Sequence, residues 1–403
     1  MSKIITDEKI IEEILTRGVE NIYPDKKSLK EILMSGKKIR LYCGFDPTAS
    51  TLHIGSGIQI RKLAKFSELG HEVIFLFGDF TAQIGDPDKL SVRQPLTHEQ
   101  IMDNLKNWKK QIKNIIDVDK IEFKFNAEWL SRLNFEDLIG IAKTFTVQQI
   151  LERDMFQERI KIERPIYLHE FFYPLMQAYD SVVMDVDLEI GGNDQTFNML
   201  AGRTLVRAMK KKEKMVLTTA LLADPTGNKM GKTTGNMITL EDSPEDVYGK
   251  VMSWTDGMIV SAFEILTDIP MLEVKEMGEQ IKSGVNPRNI KMKLAYEVVK
   301  IYLGEAAAKK GQDNFVRVFQ EKQKPVEIKK IKIKIQGNKI GVLDLFVASG
   351  LASSNSEVRR LIKEKAIRVD DKIIAHEKVE LEIPTEGLLL QRGKKIFARV
   401  FIK

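Results

Sequence analysis

An apolar run at Ile39 to Cys43, a helix-period stretch and a second apolar run at Val73 to Phe77 follow one another, and this succession restricts the fold most. Between the runs, Ile60, Leu63 and Ala64 keep the i, i+3, i+4 spacing of a helix over Ile58 to Leu69. A strand, a helix and a strand connected over this length make a crossover unit, so the two strands lie parallel in one sheet. Further strands are predicted at Ile121 to Phe125, Val182 to Ile190 and Met215 to Leu222, with helical stretches between them. Such a sheet binds ligands beyond the carboxyl ends of its strands.

The expected fold is therefore α/β, with a Rossmann-like parallel-sheet domain over 1–225. After that the pattern changes. Ser243-Pro244-Glu245 has a capping hydroxyl with proline at the first helical position, and Asn286-Pro287 repeats the device. A helical domain is expected over 226–320. A lysine-rich linker or short strand with alternating Lys and Ile follows over 321–338, and a small α+β domain over 339–403. In that last domain Ser354-Asn355-Ser356-Glu357 reads as a capping box. The helix it starts turns Val358, Leu361 and Ile362 inward and Arg359, Arg360 and Lys363 outward. A strand at Ala366 to Val369, an Asp370-Asp371 turn and a second strand come next.

Charge follows the same division. Residues 321–403 hold 19 basic and 11 acidic side chains, a net of +8 within a chain whose total is +6. The basic cluster on one short helix inside that segment points to a nucleic-acid partner rather than an ordinary solvated face. The remainder of the 403 residues is long enough for a sizeable core. No apolar run reaches bilayer length, and the first residues lack a signal-peptide stretch, so no membrane partner is expected. A single cysteine, Cys43, excludes an intrachain disulfide framework and fits the cytoplasm.

The chemistry sits in three places. At the first strand-to-helix turn, Gly44-Phe45-Asp46-Pro47-Thr48 leads to His53-Ile54-Gly55-Ser56. His53 and Thr48 offer hydrogen bonds to phosphate oxygens, at the positive end of the following helix. Gly55 and Gly57 are expected to let a nucleotide approach the backbone. The Gly-x-Gly-x-x-Gly dinucleotide fingerprint is missing, which argues against a dehydrogenase. Next, Tyr173, Gln177 and Asp180 fall on one face of an otherwise apolar helix over Phe171 to Asp180, which suits a polar cavity better than solvent. Asp86 and the Gly191-Gly192-Asn193-Asp194-Gln195 turn add polar groups at strand ends. Finally, Lys229-Met230-Gly231-Lys232-Thr233 sets cations on a glycine-bearing loop, as a reaction at a phosphate requires.

The histidine turn and the lysine loop resemble the paired "HIGH" and "KMSKS" motifs of class I aminoacyl-tRNA synthetases. Taken with Tyr42 to Thr48, Tyr173 to Asp180 and Gly191 to Gln195, the chain resembles the bacterial tyrosyl-tRNA synthetases over nearly its whole length. That resemblance implies a tyrosine–tRNA ligase that activates L-tyrosine with ATP and Mg²⁺ and passes it to the terminal adenosine of tRNA(Tyr), as a homodimer. It implies that Tyr42 and Asp180 bind the phenolic hydroxyl, that Asp86, Tyr173 and Gln177 hold the ammonium group with Thr81 nearby, and that Gln195 places the carboxylate. Asp46, Gly55, Ser56, Gly192, Asp194 and Lys232 would contact ATP. Thr48, His53, Lys229, Lys232 and Thr233 would stabilise the transition state, with Lys89 and Arg93 closing on pyrophosphate. The C-terminal segment resembles the S-four-like RNA-binding module, with Arg359, Arg360 and Lys363 facing tRNA. Ser56 departs from the family, which has a second histidine there. A tryptophan-specific enzyme would not need the Tyr42/Asp180 pair, and a homologue that binds RNA without activating an amino acid would not need the lysine loop.

Overall fold

The computed structural model describes residues 4–86, 96–223, 237–320, 328–335, 337, 339–393 and 396–403. Lys89, Arg93, Lys229, Lys232 and Thr233 lie outside the described residues. The chain forms two compact units, Met1–Gly311 and Gln312–Lys403.

In the first unit six strands form one sheet: β1 (Val19–Tyr23), β2 (Arg40–Phe45), β3 (Glu72–Phe77), β4 (Glu122–Phe125), β5 (Leu188–Gly192) and β6 (Met215–Thr219). Their spatial order is β1-β6-β5-β2-β3-β4. All neighbours pair in parallel except the edge strand β1, which runs antiparallel to β6. From β2 the chain moves to β3 on one side and only much later returns to β5 on the other. Connections diverge at that point, which opens a crevice between β2 and β5. From Val73 to Phe77, β3 is an unbroken apolar run because both of its faces are covered. Phe75 stacks on Phe45 of β2 at 4.4 Å between ring centroids, and Phe77 on Phe125 of β4 at 4.8 Å.

The crossover between β2 and β3 is helix α1 (Ile54–Glu68), which buries Ile58, Ile60, Leu63 and Phe66 against the sheet. It starts four residues earlier than the apolar spacing suggests, because His53 caps it. Helices α2 (Phe172–Val183) and α3 (Thr196–Lys210) flank β5. The strand expected from Val182 is corrected here. Val182 and Val183 end α2, Asp185 turns the chain with φ +49°, and β5 begins only at Leu188. A run of valines bounded by no Gly or Pro does not separate a helix end from a strand start. Strand β1 carries too little apolar character to stand out in sequence, with two of its five residues exposed. Beyond residue 237 the unit is helical, through Pro244–Met252, Ile259–Leu266, Met271–Lys282 and Arg288–Leu303.

In the second unit the stretch expected as a linker or short strand holds strand β7 (Lys329–Ile333), which pairs in parallel with β13 (Ile396–Ile402). Its alternation of Lys and Ile sends Ile331 and Ile333 into the core. The remaining strands are β8 (Lys339–Gly341), β9 (Ile367–Val369), β10 (Lys372–Ile373), β11 (Glu380–Glu382) and β12 (Leu388–Arg392). They form a five-stranded sheet in the order β10-β9-β12-β13-β7 and a β8/β11 pair. Helix Asn355–Lys363 buries Val358, Leu361 and Ile362 as its spacing requires, and Arg359, Arg360 and Lys363 are exposed. Ser354 caps it at Glu357 N, but the Glu357 carboxylate bonds Ser353 and Arg392 instead of returning to Ser354. The capping box is thus half formed. Asp370 and Asp371 both take positive φ at the β9–β10 turn, which a tight hairpin demands and aspartate tolerates.

Candidate active site

A cavity of about 740 Å³ opens at the crevice between β2 and β5. Every site residue expected from sequence in the first unit and lying within the described residues lines it, except Gly57. Tyr42, Asp46 and Thr48 come from β2 and its turn, His53, Gly55 and Ser56 from the start of α1, and Thr81 and Asp86 from the segment after β3. Tyr173, Gln177 and Asp180 come from α2, and Gly192, Asp194 and Gln195 from the end of β5 and the turn after it. Arg359, Arg360 and Lys363 belong to the second unit.

One part of the cavity is rich in carboxylates. Asp46 accepts from Tyr173 Oη at 2.8 Å and Thr81 Oγ1 at 2.7 Å. This joins Asp46, which the resemblance set towards ATP, to the residues expected around an ammonium group. A methyl group on Gly78 would stand 2.0 Å from Asp46 Oδ1, so only glycine leaves room for this arrangement. Asp86 accepts from Gln195 Nε2 at 2.9 Å and from Arg153 Nη2 at 2.5 Å. Asp180 accepts from Trp129 Nε1 at 2.8 Å and Asn126 Nδ2 at 3.2 Å. Asn126 also donates to Thr81 Oγ1 at 3.1 Å and accepts from Phe80 N at 2.9 Å, so one buried amide ties both sides of the pocket together. Burial pushes the Asp180 carboxyl well above the usual range, against the pull of the Trp129 and Asn126 hydrogen bonds. Burial also pushes the Tyr42 and Tyr173 phenols up, with Glu189 and Asp180 adding to it at Tyr42 and Asp46 and Asp86 at Tyr173.

The histidine turn has a different character. His53 Nδ1 accepts the backbone N–H of Ser56 at 3.2 Å and so caps α1. An acceptor Nδ1 leaves the neutral ring's proton on Nε2, which makes that edge a donor at the helix N-terminus. Gly55 is glycine because a methyl group there would stand 2.8 Å from His53 Nδ1. The role expected for Gly57 is corrected. Its missing side chain faces Tyr302, whose Cε1 would be 2.4 Å from a methyl group at that position. Gly57 therefore lets the Arg288–Leu303 helix pack on α1 and does not admit a ligand. The segment following residue 236 is stitched to the same turn. Ile54 N donates to Ile238 O at 2.9 Å, Leu240 N donates to Leu52 O at 2.8 Å, and His53 bridges to Thr239.

Sequence reasoning missed Asn126, Trp129, Ser181, Glu189 and Lys214. Glu189 carried a signal, since a glutamate between Leu188 and Ile190 on a fully buried strand needs a partner. Lys214 carried none. It closes the run Lys210-Lys211-Lys212-Glu213-Lys214, which reads as solvated, yet it is fully buried.

A carboxylate-rich pocket joined to a helix N-terminus and a donor histidine, on a parallel sheet, is the site architecture of an enzyme that joins an amino acid to a nucleotide. The model of the class I tRNA synthetases (W and Y) matches residues 34–320, and the S4 domain model matches 343–382. The tyrosine–tRNA ligases of Thermotoga maritima and Carboxydothermus hydrogenoformans are 40% and 39% identical to the chain, the first over 96% of both chains and the second over 97%. The tyrosyl-tRNA synthetase of Archaeoglobus fulgidus, crystallised with L-tyrosine, superposes with a TM-score of 0.61 at 23% identity, covering 76% of this chain and all of that one. The chain belongs to the class I tRNA synthetase family of the W and Y type.

The Gly57→Ala substitution should destabilise the first unit by about 1–3 kcal/mol, through overpacking against Tyr302. Urea denaturation would show it as a lower midpoint. An unchanged midpoint would mean that Tyr302 moves aside freely.

Proposed function

We propose that the chain is a tyrosine–tRNA ligase: it activates L-tyrosine with ATP and transfers the tyrosyl group to the 3′-terminal adenosine of tRNA(Tyr). The observation that carries this reading is that Tyr42 and Asp180, buried on two different elements, line the same cavity. A phenolic hydroxyl is the group that a buried phenol and carboxyl recognise together. Phenylalanine would leave both unpaired, and an unpaired buried polar group is costly. Indole offers no hydroxyl, which sets the tryptophan-specific reading aside.

In this reading Asp86, Tyr173, Gln177 and Thr81 hold the ammonium group. Asp46 serves this group through Tyr173 and Thr81 and also borders the nucleotide. Gln195 places the carboxylate. That carboxylate is already ionised at neutral pH, so no protein base is needed for its attack on the α-phosphate. Bond formation there expels pyrophosphate, and the substrate is the Mg²⁺ complex of ATP. His53 and Thr48 donate to the developing charge at the start of α1. Gly55, Ser56, Gly192 and Asp194 border the nucleotide. Lys229, Lys232 and Thr233, with Lys89 and Arg93, are assigned to the phosphates by the sequence motif alone. We keep 1–225 as the catalytic part and 226–320 as the helical part of the enzyme. No helix among the described residues is long and apolar enough to cross a membrane, and the reaction belongs in the cytoplasm, where tRNA is used.

ATP–pyrophosphate exchange with each amino acid in turn tests the assignment. Exchange should depend on tyrosine, and Asp180→Ala should reduce it at least a hundredfold. Exchange at the wild-type rate in that variant, or dependence on another amino acid, would overturn the reading.

Arg360 and Lys363 are assigned to tRNA phosphates. Arg359 joins them less directly, since its Nε is engaged by Glu377 at 2.8 Å. An Arg360→Glu, Lys363→Glu variant should raise KM for tRNA about tenfold and weaken its salt dependence, with tyrosine-dependent exchange unchanged. Equal KM values would remove this helix from the interface.

A homodimer completes the proposal. Phe135, Ile139, Val147, Ile162 and Leu168 are exposed within a single stretch of the first unit, Phe135 at 79% and Leu168 at 71%. Apolar exposure on that scale suits a partner surface. Sedimentation should give a dimer for the wild type and a monomer for Phe135→Asp, Leu168→Asp, and a monomeric wild type would refute it.

A further inference from the structure

Behind the wall of the cavity lies a buried polar chain that no step above uses. Lys214, immediately before β6, is fully buried, and its three N–H donors are all placed: on the Glu189 carboxylate, on Ser181 Oγ at 2.8 Å and on Met199 O at 3.2 Å. Gly202 of α3 makes room for it, since a methyl group there would lie 2.4 Å from Lys214 Nζ. Ser181 Oγ lies 2.8 Å from Tyr42 Oη, and both side chains are wholly buried. Tyr42 lines the cavity, while Ser181 and Lys214 do not.

The direction of these bonds follows from their ends. An ammonium only donates, so Ser181 Oγ accepts from Lys214 and has one proton left to give. Glu189 Oε2 is 3.4 Å from Ser181 Oγ, whereas Tyr42 Oη is 2.8 Å away. The Ser181–Tyr42 bond is the one whose ends leave two directions open. Glu189 already accepts from Lys214 and Gln177, and with the serine proton on Tyr42, the nearer acceptor, the phenol's own proton is left to face the cavity; hydrogen bonds in series polarise one another. Asp180, already accepting from Trp129 and Asn126, keeps lone pairs on the same cavity.

We infer that Lys214 and Ser181 are positioning residues for amino-acid selection. They set Tyr42 as a hydrogen-bond donor to the substrate's para oxygen, so that Tyr42 donates and Asp180 accepts at one hydroxyl. Glu189 balances the charge of Lys214 and, through Gln177 Nε2 at 2.9 Å, ties the chain to the ammonium side of the pocket. The inference rests on the assignment of Tyr42 and Asp180 to the phenol. It adds to that assignment which partner gives the proton and what fixes the choice.

Ser181→Ala removes the relay without touching the cavity. Exchange kinetics with tyrosine, phenylalanine and 4-aminophenylalanine would test it. The last offers protons readily but accepts them poorly, so a donor Tyr42 disfavours it. In Ser181→Ala, kcat/KM for tyrosine should fall about tenfold with phenylalanine almost unchanged, and the preference for tyrosine over 4-aminophenylalanine should shrink by a similar factor. A general loss of packing would lower all three alike. If Ser181→Ala folds poorly, the Lys214→Met, Glu189→Gln pair nearly keeps the volume, removes the ammonium and should shift both ratios the same way. Unchanged ratios in a folded variant overturn the relay. Should Asp180→Ala still activate tyrosine, the phenol assignment itself has failed, which is a separate outcome.

Discussion

Asp46 is the point to which the rest of the site answers. A carboxylate at the end of a central strand cannot be left bare in a crevice walled by apolar strands, because desolvating it costs more than any single contact returns. The fold meets it with two hydroxyls, from Tyr173 on α2 and Thr81 after β3. Each bond joins elements far apart in sequence. Thr81 in turn accepts from Asn126, which also reaches Asp180. Four elements are thereby fixed relative to one another by one polar chain, and the shape of the pocket follows from satisfying it. Removing one member strands the others, so the network is rigid for the same reason that it is costly to break.

Much of this was legible in the chain. Apolar runs located strands β2, β3, β4 and β6, and period-3.6 spacing located α1, each to within a few residues. Tyr173, Gln177 and Asp180 stood out as polar residues on an apolar helix, and all three line the cavity. Where patterning misled, the cause is physical. Val182 and Val183 suit a strand by branching but sit at the end of α2, since packing of that helix on α3 overrides propensity. The Lys/Ile alternation near residue 330 left a short strand and a linker both open, and it is a strand because its isoleucines have a core to enter. Lys214 was illegible for the opposite reason: its neighbours are solvated lysines, and only the space left by Gly202 and the charge of Glu189 draw it inside.

Glycine illustrates how one residue type answers different demands within a few positions. Gly55 makes way for the ring of His53, Gly57 for that of Tyr302, and Gly78 for the Asp46 carboxylate. Read from sequence alone, the pair in the His53 turn suggests room for a ligand. At Gly57 the structure assigns that room to a side chain of the protein, while Gly55 stays on the cavity wall beside the imidazole. A helix N-terminus gains its anion affinity from unpaired N–H groups. Here one of them, on Ser56, is taken by the His53 cap, which exchanges a backbone donor for an oriented Nε2–H further out.

That exchange also explains why the two sequence motifs need each other. The turn carrying His53 lies beyond the end of β2, and Asn104, Trp108 and Gln111 bond its backbone from one side. It is also held by the segment from residue 237, through Ile54 to Ile238, Leu240 to Leu52 and the His53–Thr239 bridge. Lys250 on the next helix fixes that segment in turn, donating to Met237 O at 3.0 Å, and the side chain of Asp242 accepts from Thr239 N at 3.0 Å. The imidazole and the segment that follows the lysine motif are therefore one mechanical piece. Cations on a loop stabilise a transition state only if they arrive in register with the groups already there. By tying residues 238–240 to the histidine turn, the fold fixes the point from which the chain continues into the helical part.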